Sequence, residues 1–340
     1  MTDETKLLIQ YAWMPYLGSL IAEHGPLSPF VDPPATAPSK ELMLEMWEAG
    51  ILAKPGVLSN QASRMLCSVA SASAAAEFTL FVEDSSVEHQ VYFADGGSAP
   101  VAMANGADGI HLRSPAPCDE IVETTAEFSG SSALSFVPLE VELSIGEALV
   151  ALVFVDLERK SLHRALAEEE EPSPVTRDAG EIQLNLQRQN LDSAWLVWLQ
   201  QQLLPAPVSM TEKEVTAALK SLVAKGLLVE NPRGFTCGQI LGHTAMRLLL
   251  LKAYYHLSAA RSPSSGLDVR VEFGIVQNGI HDLMLIEAVS DRVRLTGIAG
   301  RALLAMLNDF LTSADALAGL EPPIPGSSAA GPPRAGGDRP

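Results

Sequence analysis

The sequence predicts an α+β fold built from two tandem, pseudo-symmetric modules. Its 340 residues are enough for two domains of ordinary size, and 47% of them are hydrophobic, which is enough to bury a large core. The same order of apolar patterns also occurs twice along the chain, which is typical of an internal duplication. Each module is expected to run helix, small wing, helix, antiparallel hairpins and closing helix, with winged-helix-like elements.

The first module is predicted to span residues 1–140. Its proline-rich arm, residues 25–39, contains five prolines and cannot be helical, because proline lacks the amide donor that a helix needs. A long central helix is predicted for residues 141–167. Ser144 and Glu147 form the sequence signature of a capping box at its start.

The remaining segments follow from composition. Residues 6–24 and 191–204 are predicted as helices from their aromatic and apolar spacing. Residues 168–181 are predicted as an acidic linker, because four adjacent glutamates repel one another and two prolines end a helix. A second module is predicted for residues 182–315. Residues 316–340 have low complexity and are predicted as a disordered tail.

The strongest repeat lies at the two predicted wings, in residues 42–57 and 218–235. In both, an apolar helix pattern ends at a glycine, two apolar residues follow, and a second glycine precedes another helix. The aligned positions are Met46 with Leu222, Gly50 with Gly226, Ile51-Leu52 with Leu227-Leu228, and Gly56-Val57 with Gly234-Phe235. Each wing leads into a helix, from Asn60 in the first copy and from Gly238 in the second.

The repeat continues beyond these helices. The alternating segments at residues 77–83 and 268–274 are predicted to be equivalent strands. Residues 101–128 likewise parallel residues 283–310, each as two strands with a tight turn followed by a closing helix. The aspartates at the two turns are Asp108 and Asp291.

No catalytic constellation is visible in the sequence. Cys67, Cys118 and Cys237 are widely separated and form no CxxC pair, and the seven histidines lack metal-ligand spacing. Asp119 and Glu120 raise the expected pKa of the neighbouring Cys118 thiol, which disfavours a nucleophile. No P-loop, dinucleotide fingerprint or nucleophile elbow occurs. We therefore predict a protein that is not an enzyme and needs no cofactor or metal. An enzyme whose site forms between the two halves is one alternative.

A winged-helix transcription regulator is the other alternative. The predicted recognition helix, residues 209–226, begins with Glu212 and Glu214, which repel phosphate, and the formal net charge of the chain is −18. The basic residues expected to be exposed on this helix are Lys213, Lys220 and Lys225, and its wing offers only Arg233. Because the net charge of the chain is so strongly negative, we expect no binding to nucleic acid.

Both wings resemble the modules of the EspG family, the cytosolic chaperones of type VII secretion. The similar stretches are residues 44–57 with 78–82 and residues 222–235 with 269–273, and "LSIGEALVAL" from Leu143 is similar to the central helices of that family. The resemblance implies a pseudo-twofold α/β fold and a chaperone that keeps a secreted substrate soluble. No family site is carried over to individual residues.

The expected partner is therefore a protein, bound by hairpin tips and by the arm. Proline-rich segments lose little entropy on docking, and exposed strand edges can pair with a partner strand. The absence of a signal-peptide pattern and of a membrane-length apolar stretch favours the cytoplasm and argues against membrane insertion. The predicted contact residues are Pro29, Phe30, Pro33, Pro34, Gly96, Gly97, Asn278 and Gly279.

Overall fold

The computed structural model describes residues 4–30, 38–83, 85–94, 98–187, 195–204, 206–262, 269–289 and 291–312. The strands are β1 (Thr5–Ile9), β2 (Leu52–Lys54), β3 (Val57–Leu58), β4 (Ala72–Val82), β5 (Ser85–Ala94), β6 (Val101–Gly106), β7 (Gly109–Ser114), β8 (Glu140–Ser144), β9 (Leu228–Asn231), β10 (Gly234–Cys237), β11 (Ala253–Arg261), β12 (Val269–Gln277), β13 (Leu283–Val289) and β14 (Arg292–Ile298). The α-helices are α1 (Met14–Ser19), α2 (Lys40–Glu48), α3 (Asn60–Ala70), α4 (Cys118–Ser129), α5 (Ile145–Glu168), α6 (Ala179–Gln187), α7 (Leu196–Gln202), α8 (Glu212–Ala224), α9 (Gln239–Arg247) and α10 (Gly300–Thr312).

Ten of these strands form one antiparallel sheet in the order β1-β7-β6-β5-β4-β11-β12-β13-β14-β8. β4 and β11 meet at the centre, where their register runs from Ala74 opposite Arg261 to Val82 opposite Ala253. The strand order going outward from the centre is the same on both sides: four consecutive strands, then the strand that precedes the wing of that half. The predicted α+β class, with a large antiparallel sheet, is confirmed.

The strand correspondence inferred from the sequence is wrong by one strand. Residues 77–83 fall largely in β4, the first strand after α3, whereas the described residues 269–274 fall at the start of β12, the second strand after α9. The counterpart of β4 is β11, whose apolar residues also fit a helical spacing that would continue α9. Tyr255 and Leu257 alternate with less buried neighbours, and β11 becomes a strand because it pairs with β4 and β12.

Two further boundaries differ from the prediction. Residues 6–24 were expected to be helical, but Thr5–Ile9 forms β1 on the edge strand β7, and only Met14–Ser19 is α-helical. Burial alternates along β1 and places Ile9 in the core. The side chains therefore follow the two-residue repeat of a strand and not the helical spacing expected from the sequence. The central helix begins at Ile145 because residues 141–144 belong to β8, and its predicted capping box is present.

The two wings share one hydrogen-bond pattern. Gly50 and Gly226 have φ of 74° and 72°, a conformation that glycine adopts without steric cost. The amide after each glycine donates to the carbonyl five residues earlier, from Ile51 to Met46 and from Leu227 to Leu222, both at 2.9 Å. This is the Schellman ending of a helix. The helices of both wings thus end with the same bonds at aligned residues, whereas the strand pairing differs, since β2 and β3 contain a register shift that β9 and β10 lack.

The side chains of the sheet divide between two faces. On one face, α4 and α10 cover a core that includes Phe78, Tyr255 and Ile275 of the central strands. On the other face, a core around α3 covers the first half, and a larger core around α5 covers the second half. Within the described ranges, none of the helices has the length and apolar content needed to cross a membrane.

Candidate functional site

A groove of about 490 Å³ opens on the second face of the sheet, where α7 lies beside β4, β11 and β12. Its apolar walls come mainly from Phe81, Trp198, Leu199, Leu251 and Tyr254. Its polar lining residues are Glu83, Gln202, Lys252, His256 and Glu272. The groove therefore joins strands of both halves to a helix of the second half, and it combines aromatic surface with a few polar groups.

Phe81 and Tyr254 form the aromatic floor of this groove. They face each other across the β4–β11 ladder, and their rings stack with centroids 5.8 Å apart. The ring of Tyr254 also lies over Gly274, where an added Cβ would come within 3.0 Å of the tyrosine hydroxyl. A larger residue at position 274 would displace the tyrosine, so glycine shapes the groove.

The hydroxyl of Tyr254 is buried but has no hydrogen-bond partner. Burial raises the pKa of Tyr254, and the nearby Glu272 adds to the rise, so the phenol stays protonated at neutral pH. On the same face, His256 Nε2 lies 3.9 Å from Glu272 Oε2. Because an unpaired buried hydroxyl costs free energy, a ligand group that reached Tyr254 would gain a hydrogen bond without displacing another.

A buried ion pair positions the two sides of the groove. Arg159 donates to Asp156 at 2.7 Å within α5, and its Nε donates to the carbonyl of Leu248 at 2.7 Å, just before β11. Asp156 also accepts the amides of Leu196 and Val197, both at 3.2 Å, at the start of α7. Burial raises the pKa of Asp156, while Arg159 and the two amides oppose that rise. The pair therefore ties the start of α7 and the C-terminal end of α9 to one point on α5.

Polar side chains continue across the middle of the same face. The register places Gln90, Glu77, Ser258 and Glu272 side by side on β5, β4, β11 and β12. Gln90 Nε2 donates to Glu88 at 2.9 Å, and the hydroxyl of Tyr92 donates to Gln90 at 2.7 Å. Among the residues that the structure describes, no group of His, Cys, Asp and Glu could hold a metal ion.

Of the contact residues predicted from the sequence, those that the structure describes, Pro29, Phe30, Asn278 and Gly279, do not line this groove. Pro33, Pro34, Gly96 and Gly97 lie outside the described residues. Pro29 is partly buried, and Phe30 is 8% exposed and packs in the core of the first half. Asn278 and Gly279 form the turn between β12 and β13, where the Asn278 side chain donates to the carbonyl of Arg247 at 2.8 Å.

The sequence showed no sign of the groove, because its parts are far apart along the chain. Phe81 and Tyr254 are 173 positions apart by number, and only the pairing of β4 with β11 brings them together. The sequence feature that could have indicated the groove is an aromatic residue on the polar face of an alternating strand pattern. Trp198 packs partly against the core around α5 and also lines the groove.

Two other sequence expectations can be compared with the geometry. Burial and then Asp119 raise the pKa of Cys118 to about 11, so the direction of the expected shift is confirmed and its main cause is burial. Lys213, Lys220 and Lys225 are all exposed, as expected. Lys225 also donates to both carboxylate oxygens of Glu147 at 2.8 Å, so its charge is paired within the fold.

No protein-family model matches the chain, and the comparison with curated proteins finds no relative.

Proposed function

We propose that the protein is a non-enzymatic cytoplasmic adaptor, or a secretion-type chaperone, that binds a segment of a protein partner in the groove beside α7. The observation that carries this proposal is the aromatic floor of Phe81 and Tyr254 with an unpaired buried hydroxyl. Aromatic residues that combine apolar surface with one polar group are enriched at protein interfaces. The resemblance of both wings to EspG modules supports the secretion-type role.

We further propose that the chain consists of two copies of one module. The matching strand order around β4 and β11 and the matching hydrogen bonds at the helix ends of the two wings support this. Helices α6 and α7 break the symmetry, since the described part of the first half has no counterpart for them. Because α7 forms one wall, the groove occurs on one side of the pseudo-twofold axis, which favours a single partner segment for each chain.

Replacing Phe81 with glutamate is the direct test. The Phe81 side chain is 43% exposed and Phe128, on the opposite face, is 47% exposed, so Phe128→Glu is a matched control. Affinity capture from the native host, with mass spectrometry, would compare the proteins retained by each variant. A partner retained by the wild type and by Phe128→Glu should be reduced at least about 10-fold by Phe81→Glu, as for a central interface residue. Loss with Phe128→Glu and retention with Phe81→Glu would place the interface elsewhere.

Replacing Tyr254 with phenylalanine should affect stability and binding in opposite directions. Without a partner in the free protein, the hydroxyl adds no bond, so its removal should leave the free energy of unfolding unchanged or raise it by about 1 kcal/mol. Binding of the captured partner should weaken about 5-fold, the value of one lost hydrogen bond. Denaturant titration and calorimetry measure the two effects. A variant that is destabilised by about 2 kcal/mol would show that the hydroxyl is already bonded in the free protein.

A further inference from the structure

The protein covers one of its own wings. After α5, the chain returns as an extended segment, and Arg177 pairs antiparallel with Phe235 on the outer edge of β10. The two backbone hydrogen bonds measure 3.0 Å and 2.9 Å. The contact is close, because a Cβ on Gly234 would come within 2.5 Å of the Arg177 carbonyl. The segment then forms α6, which packs against α8 and buries Ile182 completely.

The first wing has apolar residues exposed at the corresponding surface. Leu44 and Trp47 on α2 are 50% and 54% exposed, and Val57 on β3 is 42% exposed. The small sheet contains only β2 and β3, and within the described ranges no segment pairs with the outer edge of β3. An exposed tryptophan beside an unpaired strand edge has the chemistry of a peptide-docking surface.

Because the helices of both wings end with the same hydrogen bonds, each residue of α2 can be matched with one residue of α8. Because Met46 corresponds to Leu222, Trp47 corresponds to Val223, which is partly buried against the core around α5. Leu44 corresponds to Lys220, which is exposed in the second wing as well, so the second half is a guide to what would lie on β3 and near Trp47: a segment that pairs with the strand edge and continues into a short helix.

The charge of the first wing indicates which charge a segment bound there should carry. Glu41, Glu45 and Glu48 are exposed on α2, and the exposed basic residues of this wing are Lys40 at the start of α2 and Lys54 on β2, so the acidic residues outnumber the basic ones. The corresponding positions of α8 are small and uncharged, namely Ala217, Ser221 and Ala224. A second copy of this acidic chain would bring like charges together, whereas a segment with basic side chains would be attracted.

We propose that β3 and the exposed face of α2 bind a basic segment of a protein partner, which adds an extended strand to β3 and lays a short helix over Trp47. This surface is separate from the groove beside α7, and the proposal does not depend on the function assigned to that groove.

The test uses a peptide with the sequence of the segment that covers the second wing. A labelled peptide of residues 172–187 and a basic version carrying Gln183→Lys and Gln187→Lys would be titrated into the full chain by fluorescence polarisation. Both substitutions leave the hydrogen bonds between Asp178 and Glu181 at the start of α6 intact. The basic peptide should bind about 5-fold more tightly at low salt and lose that advantage at high salt, because screening weakens exposed charge pairs.

Trp47→Glu should weaken binding of both peptides at least about 10-fold. Met246→Glu is the matched control, since Met246 is 52% exposed on α9, and it should change binding less than 2-fold, about the level expected of a residue outside the interface. Phe81→Glu should leave peptide binding unchanged, which separates this proposal from the groove. Thermal unfolding of each variant checks that the fold is retained.

Three results would overturn the proposal. Binding that persists in Trp47→Glu would place the peptide elsewhere, for example on the second wing in exchange with its own segment. No binding of either peptide at about 1 mM, the weak limit of a specific contact, would show that the first wing does not accept this chemistry. A dimer in sedimentation experiments that Trp47→Glu dissociates would identify a second copy as the occupant.

Discussion

Replacing Arg159 with methionine is expected to lower the free energy of unfolding by about 3–5 kcal/mol, because removal of one partner leaves Asp156 as an uncompensated buried charge. The loss should be greater at pH 8 than at pH 5, since the buried carboxyl can escape the penalty by protonation at the lower pH. The variant also loses the bond to the Leu248 carbonyl, which precedes β11. Denaturant titration at the two pH values measures the effect.

Arg164→Met is the control for this variant, because Arg164 is exposed on the same helix and its replacement should stay within about 0.5 kcal/mol. A double variant with Asp156→Leu and Arg159→Met should recover only part of the loss, since an apolar pair removes the desolvated charge but leaves the Leu196 and Val197 amides without their acceptor. A loss below about 1 kcal/mol for Arg159→Met alone would mean that the ion pair does not organise α7 and the end of α9, given the usual cost of breaking such a pair.

Acidification is expected to weaken the fold through Glu147. Burial opposes ionisation of this carboxyl, but donation by Lys225, Ser221 and the Ser144 amide outweighs it and lowers the pKa from 4.5 to about 2. A carboxyl with a lowered pKa in the folded state stabilises the protein above pH 4.5, and this contribution is lost as the pH falls towards 2. The shift corresponds to about 3 kcal/mol, or about 2 kcal/mol once the partial exposure of Lys225 is taken into account.

Glu147→Gln isolates this contribution, because glutamine can keep the capping box while losing the charge. The wild type should be more stable than the variant by about 2 kcal/mol at pH 6, and the two should converge near pH 2. Exposed Glu123→Gln on α4 serves as the control and should run parallel to the wild type. A constant difference between wild type and Glu147→Gln across this range would show that charge is not the source of the stabilisation.

Local patterns in the sequence were sufficient to predict several elements of the fold. The capping box at Ser144 and Glu147, the glycine endings at Gly50 and Gly226 and the turn between β13 and β14 follow from interactions within a few residues. Such interactions depend on neighbours along the chain, so they can be recognised before the partners in space are known.

Strand identity at the centre of the molecule depended on tertiary structure. The sequence of β11 has apolar residues at helical as well as alternating spacing, and its pairing with β4 and β12 decides between them. The same holds for β1, whose few residues become a strand because β7 offers an unpaired edge. Short apolar segments fit either period, and long-range pairing selects one.

The groove depended on tertiary structure entirely. Phe81, Tyr254 and Trp198 come from two halves of the sheet and from α7, and Asp156 and Arg159 position that helix from the middle of α5. Nothing in the local sequence of any one of them marks a site. Binding surfaces form where elements distant in sequence pack together, whereas turns and caps form within a single stretch of chain. The sequence alone therefore predicts turns and caps far better than binding surfaces.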